Sequence, residues 1–210
     1  MQATKRMAPM SEIRKVCVYC GSSPGTDPAY VKAAEDFGRI LAEAKVGLIY
    51  GGGAVGIMGA LAYSVLDHGG EVTGIIPEFL MSRERALRGT HELIVTRDMH
   101  ERKRKMFDMA DAFVTLPGGV GTLEEVVEQV TWMQLGRHQK PILLANVKGF
   151  WDPLCALFDH MKALEFIHSR NNFSVLVTDT VETILPMLRD FAAKVPEDAK
   201  TMEPTAAERL

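Results

Sequence analysis

From residue 15 onward, short apolar runs alternate with amphipathic stretches, and most runs end in a glycine- or proline-bearing turn. Short apolar runs bounded by turn signals predict buried strands, whereas apolar positions three and four apart predict helices. Strands are therefore expected at 15–19, 46–50, 71–76, 93–96, 112–116, 141–147 and 174–177. Helices are expected at 29–44, where Phe37, Ile40 and Leu41 fall at helical spacing, and from the glycines after Tyr50 to His68. Others follow Asp98 and the turn at 117–119, and two more lie at 153–164 and 181–191. Strands alternating with helices, with no internal repeat or linker, predict an α/β fold. It is a single domain over 15–193, a doubly wound parallel sheet with helices on both faces. Residues 1–14 are expected to be a flexible start. Residues 194–210, rich in Pro, Glu, Lys and Thr, are expected to be a disordered tail. In such sheets ligands bind beyond the carboxyl ends of the strands, near the point where strand order reverses. The glycine-rich turns all fall at those ends.

Composition narrows the function classes. At 210 residues, 47% hydrophobic and 24% charged, the chain has the balance of a globular protein long enough for one sizeable core. A net charge of -3 argues against a nucleic-acid partner, because phosphate-backbone binding needs a basic excess. No apolar run approaches the ~20 residues of a membrane span. The start MQATKRMAPM has no hydrophobic stretch behind it, so no membrane association and a cytoplasmic location are expected. Cys17 and Cys20 form a C-x-x-C inside a strand-like run rather than at a helix start, which predicts small buried hydrophobes rather than a redox pair. The six histidines form no H-x-x-x-H or His/Cys cluster and no G-x-S-x-G is present, so neither a metal nor a nucleophile elbow is expected.

Three segments carry candidate chemistry. Leu116-Pro117-Gly118-Gly119-Val120-Gly121-Thr122-Leu123-Glu124-Glu125 runs from a strand into a helix. Glycines admit close backbone approach, and a helix N-terminus offers unpaired N–H groups with a positive dipole end, so a phosphate is the natural guest. The alternative is a plain capping box, Thr122 with Glu125, that only starts the helix. Tyr50-Gly51-Gly52-Gly53-Ala54-Val55-Gly56 matches the dinucleotide fingerprint G-x-G-x-x-G, but the acidic residue expected at the end of the next strand is poorly placed. Contact with a ligand is one reading of it, and a tight strand-to-helix turn is the alternative. In Met99-His100-Glu101-Arg102-Lys103-Arg104-Lys105-Met106, Arg102 and Met106 share one helix face and Glu101 pairs with Lys105. Such a run is either a solvated face or, at Arg102, a reach toward the ligand site. Glu84 lies in a charged stretch after Pro77, as an exposed carboxylate or a functional one.

Together these motifs resemble the LOG ("Lonely guy") family of cytokinin riboside 5'-monophosphate phosphoribohydrolases. The resemblance rests on the Pro117 to Glu125 segment and the Met99 to Lys103 segment. Cys20-Gly21-Ser22-Ser23, Tyr50-Gly51-Gly52-Gly53, Thr131-Trp132 to Leu135-Gly136 and Lys140-Pro141 extend it over nearly the whole ordered chain. It implies a Rossmann-like homodimer that releases adenine-type bases from nucleoside 5'-monophosphates and leaves ribose 5-phosphate; separately, no cofactor is expected. By the same resemblance Arg102 and Glu125 are catalytic. Glu84, Arg102, Lys103, Gly119, Val120, Gly121, Thr122, Leu123, Glu124, Glu125 and Thr131 match substrate-binding positions, and Gly21, Ser22, Gly52 and Gly53 are candidates for further nucleotide contacts. Thr131 lies six residues past Glu125, well round the helix, so it would serve only at a subunit interface. Members also carry the label lysine decarboxylase, yet no sequence feature supports a pyridoxal-phosphate site.

The residue types suit the chemistry. Cleaving an N-glycosidic bond builds positive charge at the anomeric carbon and negative charge on the departing base. A carboxylate can stabilise the first and activate water, as in sugar hydrolysis, and an arginine can neutralise the second. Two other classes stay open at this point: a non-catalytic nucleotide or cofactor carrier, such as the molybdenum-cofactor carriers of similar fold, and a nicotinamide-dependent oxidoreductase. The helix behind the glycine loop carries Val126, Val127, Val130, Trp132, Met133 and Leu135, more apolar surface than one core-facing stripe needs, which points to a homodimer.

Overall fold

The computed structural model describes residues 13–81, 86–87, 89–167 and 173–195. Glu84 lies outside these, as do the expected flexible start except for 13–14 and the expected disordered tail except for 194–195. The strands are β1 Lys15–Tyr19, β2 Gly47–Tyr50, β3 Val72–Pro77, β4 Glu92–Thr96, β5 Ala112–Thr115, β6 Ile142–Ala145 and β7 Val175–Thr178. The helices are α1 Pro28–Glu43, α2 Gly56–Asp67, α3 Met99–Met109, α4 Val120–Gln134, α5 Asp152–Ala163 and α6 Ile184–Lys194. All seven strands are parallel in the order β4-β3-β2-β1-β5-β6-β7, with Cys17 of β1 opposite both Ile49 and Phe113. This is a Rossmann-like α/β fold. Strand order reverses between β1 and β5.

Alternation within each central strand feeds two cores. Val16, Val18, Leu48, Tyr50, Val114 and Leu143 pack with Phe37 and Leu41 of α1, Leu61 of α2 and Leu188 of α6. Cys17, Tyr19, Ile49, Phe113, Ile142 and Leu144 point the other way, toward Met106 of α3, Val126 and Val130 of α4 and Leu154 of α5. Both faces are buried, which is why these strands read as continuous apolar runs. Cys17 and Cys20 are not joined in a disulfide and are buried in opposite cores, and burial pushes the Cys17 thiol well above its ordinary value. They behave as small hydrophobes.

Local chemistry starts the helices. Asp27 caps α1 by accepting from the Ala29 N–H at 2.8 Å, and Pro28 presets the first turn. Asp98 caps α3 by accepting from the Glu101 N–H at 2.8 Å, while the Glu101 carboxylate accepts from the Arg97 N–H at 3.0 Å. At their other ends, α3 and α4 are joined by an aromatic and basic cluster. Lys140 Nζ donates to the Phe107 carbonyl at 2.6 Å and lies 4.0 Å above the Phe107 ring. The Lys140 N–H donates to His138 Nδ1 at 3.1 Å, so the Nε2–H donates to the Gln129 carbonyl at 3.1 Å. Burial lowers the His138 pKa to about 4, which keeps this ring neutral.

Candidate active site

The reversal of strand order leaves a crevice above the carboxyl ends of β1 and β5, and the turns after these strands line it. The Gly21 N–H donates to the Pro117 carbonyl at 3.0 Å, and the Met58 N–H donates to the Gly21 carbonyl at 3.1 Å. A pocket of about 330 Å³ opens there, a volume suited to a small ligand. Its walls include Cys20, Gly21 and Ser22 after β1, Gly119 to Thr122 at the start of α4, and Arg102 with Glu125.

The glycine loop after β5 divides into a structural and an open part. The Thr122 side chain occupies the space where a Gly118 side chain would sit, whereas nothing lies near a side chain added at Gly119 or Gly121. Protein packing explains Gly118; room for a ligand remains at Gly119 and Gly121. The N-cap of α4 is Gly119, with no side-chain cap bond. The capping-box reading of Thr122 with Glu125 is thereby corrected: Thr122 lies inside the first turn, and Glu125 is turned inward.

Arg102 projects from α3 to the floor of this pocket and is 6% exposed. Its Nε donates to the Ile75 carbonyl at 3.1 Å and Nη2 to the Gly51 carbonyl at 3.5 Å. These anchors, at the ends of β2 and β3, fix the guanidinium plane. Nη2 stands 3.6 Å from Glu125 Oε1, with side-chain exposures of 7% and 11%. At that separation the pair attracts without a tight mutual hydrogen bond, and both groups border the pocket. A buried charge needs such pairing to be tolerated.

The second glycine turn serves the protein itself. A side chain at Gly51 would collide with the Arg102 guanidinium, so Gly51 is the seat of that arginine. Gly52 has φ of +82° and lies against Ile76, while Gly56, at φ +62°, lies against the backbone of Ser22. Gly53 bridges to Ala86. Packing thus accounts for the dinucleotide-like spacing.

Of the residues singled out in the sequence, the pocket brings together Gly21, Ser22, Arg102, Gly119, Val120, Gly121, Thr122 and Glu125. Gly52, Gly53, Lys103, Leu123, Glu124 and Thr131 are not among its lining residues. Lys103 Nζ instead contacts Glu124 Oε1 at 2.6 Å and Glu128 Oε1 at 2.9 Å. The Thr131 hydroxyl donates to the Val127 carbonyl at 2.8 Å within α4. Sequence reasoning missed Gly51 as a site residue, and also Met58, Leu80 and Met99, which add an apolar wall. Met99 lies one helical turn before Arg102, a spacing that marks a shared face; Leu80 carried no such signal.

Among known proteins, the family described as "Possible lysine decarboxylase" matches residues 58–188. The chain is 42% identical over 187 residues to cytokinin riboside 5'-monophosphate phosphoribohydrolase LOG of Oryza sativa subsp. japonica, covering 89% of this chain and 76% of that protein. The chain belongs to the LOG family. Its LOG-family relatives also include cytokinin riboside 5'-monophosphate phosphoribohydrolase of Rhodococcoides fascians, 43% identical over 84% of this chain and 89% of that one. LOG3 of Arabidopsis thaliana is 41% identical over 87% of this chain and 85% of its own length. The Moco carrier protein from Chlamydomonas reinhardtii shares the fold of this LOG-family chain with a TM-score of 0.64 at 19% identity, over 88% of this chain and 100% of that one. The decarboxylase description implies pyridoxal phosphate, held through a lysine. The residues do not fit that group: no lysine is among the described residues lining the pocket, and Lys103 is held by two glutamates.

Proposed function

We propose that this chain hydrolyses the N-glycosidic bond of adenosine 5'-monophosphates, N6-modified ones included, to free base and ribose 5-phosphate. The observation that carries the reading is the buried Arg102–Glu125 pair beside the open N-terminus of α4. The names of the relatives, phosphoribohydrolases acting on cytokinin riboside 5'-monophosphates, support the same reaction class.

In this reading the first-turn N–H groups of α4 take the 5'-phosphate, and the side-chain-free backbone at Gly119 and Gly121 lets it approach. That contact is remote from the bond to be cut, and its binding energy positions the ribose over Glu125. The Glu125 carboxylate stabilises the positive charge growing at the anomeric carbon and orients the attacking water, whose proton it accepts. Arg102, immobilised by two backbone carbonyls, offers positive charge to the electron-rich departing base without reorganising. Met58, Leu80 and Met99 supply the apolar wall against which a purine rests. A nucleotide panel followed by chromatography tests the reading: free adenine or N6-substituted adenine is expected from the 5'-monophosphates. A panel returned intact contradicts it.

The working unit in this reading is a homodimer, acting in the cytoplasm without nucleic-acid or membrane partners. Among the described residues no helix is long and apolar enough to cross a membrane. Val126 and Val130 are spent in the chain's own core, yet α4 still exposes Val120, Leu123 and Val127, and Leu135 at its end is 69% exposed. Such a face on one helix favours burial against a second copy. Light scattering at micromolar concentration is expected to give twice the 23.2 kDa chain mass, and a monomer across that range refutes the dimer.

A further inference from the structure

Lys103 follows Arg102 on α3, and Glu124 precedes Glu125 on α4. The ammonium of Lys103 sits between Glu124 Oε1 at 2.6 Å and Glu128 Oε1 at 2.9 Å, and its side chain is only 13% exposed. Lys105, also on α3, is 41% exposed and reaches Glu101 on its own helix at 3.8 Å. Exposed pairs of that kind contribute little. The Lys103 bridge differs: the Lys103 ammonium and Glu128, 22% exposed, are largely covered although Glu124 is 52% exposed, and the bridge engages two carboxylates one helical turn apart and joins two helices. Burial by itself lowers the Lys103 pKa, but the bonds to Glu124 and Glu128 outweigh it and raise the value, so the bridge stays charged. The Lys140–His138 cluster ties the same two helices at their far ends.

We propose that Lys103 is a positioning residue that clamps α3 to α4 through Glu124 and Glu128, and so sets the separation of Arg102 and Glu125, rather than binding substrate. The proposal rests on Arg102 and Glu125 being the catalytic pair. Lys103 is one residue from Arg102, and Glu124 and Glu128 are one and three residues from Glu125, so movement of one helix along the other changes the 3.6 Å gap between Arg102 Nη2 and Glu125 Oε1. Catalysis responds steeply to such displacement, whereas binding of a phosphate at the start of α4 does not depend on the gap.

The test compares Lys103→Met, Lys103→Arg, the double variant Glu124→Gln/Glu128→Gln and the triple variant that adds Lys103→Met, each assayed on AMP with ribose 5-phosphate as product inhibitor. Thermal unfolding confirms that each is folded at the assay temperature. The clamp predicts that Lys103→Met lowers kcat by roughly 10–100-fold, with KM for AMP and Ki for ribose 5-phosphate changed by less than about fivefold. Glu124→Gln/Glu128→Gln should show the same profile although it leaves Lys103 in place. The triple variant should be no worse than its poorer parent, because the three residues act as one unit. Lys103→Arg, which can still bridge both carboxylates, should recover most of kcat. A wild-type kcat in Lys103→Met overturns the proposal. So does a rise of more than about fivefold in KM or Ki, which marks a substrate contact, and so does full activity in the glutamate double variant beside an impaired Lys103→Met. Failure of the underlying reading shows up separately, as Arg102→Ala and Glu125→Gln enzymes that turn over AMP normally.

Discussion

Arg102→Ala is expected to cut base release by at least 10²–10³-fold, roughly the cost of removing one preorganised charge-stabilising donor, while the chain still folds. The guanidinium is held by the carbonyls of Ile75 and Gly51 and faces Glu125, so its charge is already in place when the base departs. Its loss also leaves Glu125 buried without that cation, so a lower Tm is expected alongside the loss of activity. Arg104→Ala is the control. Arg104 is exposed and lies about 200° round the helix from Arg102, and its removal should change activity little. Gly51→Ala should follow Arg102→Ala in direction, because a methyl there displaces the tip of the Arg102 side chain while leaving its chemistry intact. Equal losses from Arg102→Ala and Arg104→Ala would mean that the run acts as a diffuse basic patch.

Glu125→Gln is expected to lower kcat by roughly 10²–10⁴-fold, with binding of the 5'-monophosphate retained or tightened. The substitution keeps the size of a side chain that is 11% exposed and removes only its charge, along with its repulsion of the phosphate. Glu124→Gln should cost far less. Its carboxylate lies about 100° away on the helix and touches Lys103, and Glu128 still holds that lysine when Glu124 is neutralised. The wild-type enzyme given a nucleoside without its phosphate should lose most of kcat/KM, since the donors at the start of α4 then have no anion to meet. Rapid turnover of the bare nucleoside would remove the phosphate handle from the account, and rapid cleavage by Glu125→Gln would remove Glu125 from the chemistry.

Most of the fold was legible in the sequence because the sheet is parallel and covered on both faces. Its strands therefore announce themselves as apolar runs, and their ends moved by one or two residues at most of the edges. The last helix departed further: residues 181–183 form a 3₁₀ turn and α6 begins at Ile184. The glycine loop, Arg102 and Glu125 were legible through helix-start chemistry and family resemblance. What the sequence hid was tertiary. Thr122 and Glu125 stand at capping-box spacing, and only the orientation of α4 shows that the cap is Gly119. Gly51 matched a dinucleotide fingerprint, whereas its glycine is required by Arg102, fifty-one residues away. Lys103 and Glu124 were each visible as charges beside Arg102 and Glu125. Their bond to one another depends on how α3 and α4 pack, which no local spacing encodes.

The central claim is that this pocket hydrolyses a nucleotide at its N-glycosidic bond, and the products of AMP measure it most directly. Incubation with the purified chain, followed by simultaneous quantification of adenine and ribose 5-phosphate, should give the two in equal amounts and without added cofactor. The Glu125→Gln enzyme should give neither above background on the same timescale. AMP recovered intact, or adenine appearing without an equal amount of ribose 5-phosphate, would contradict the account.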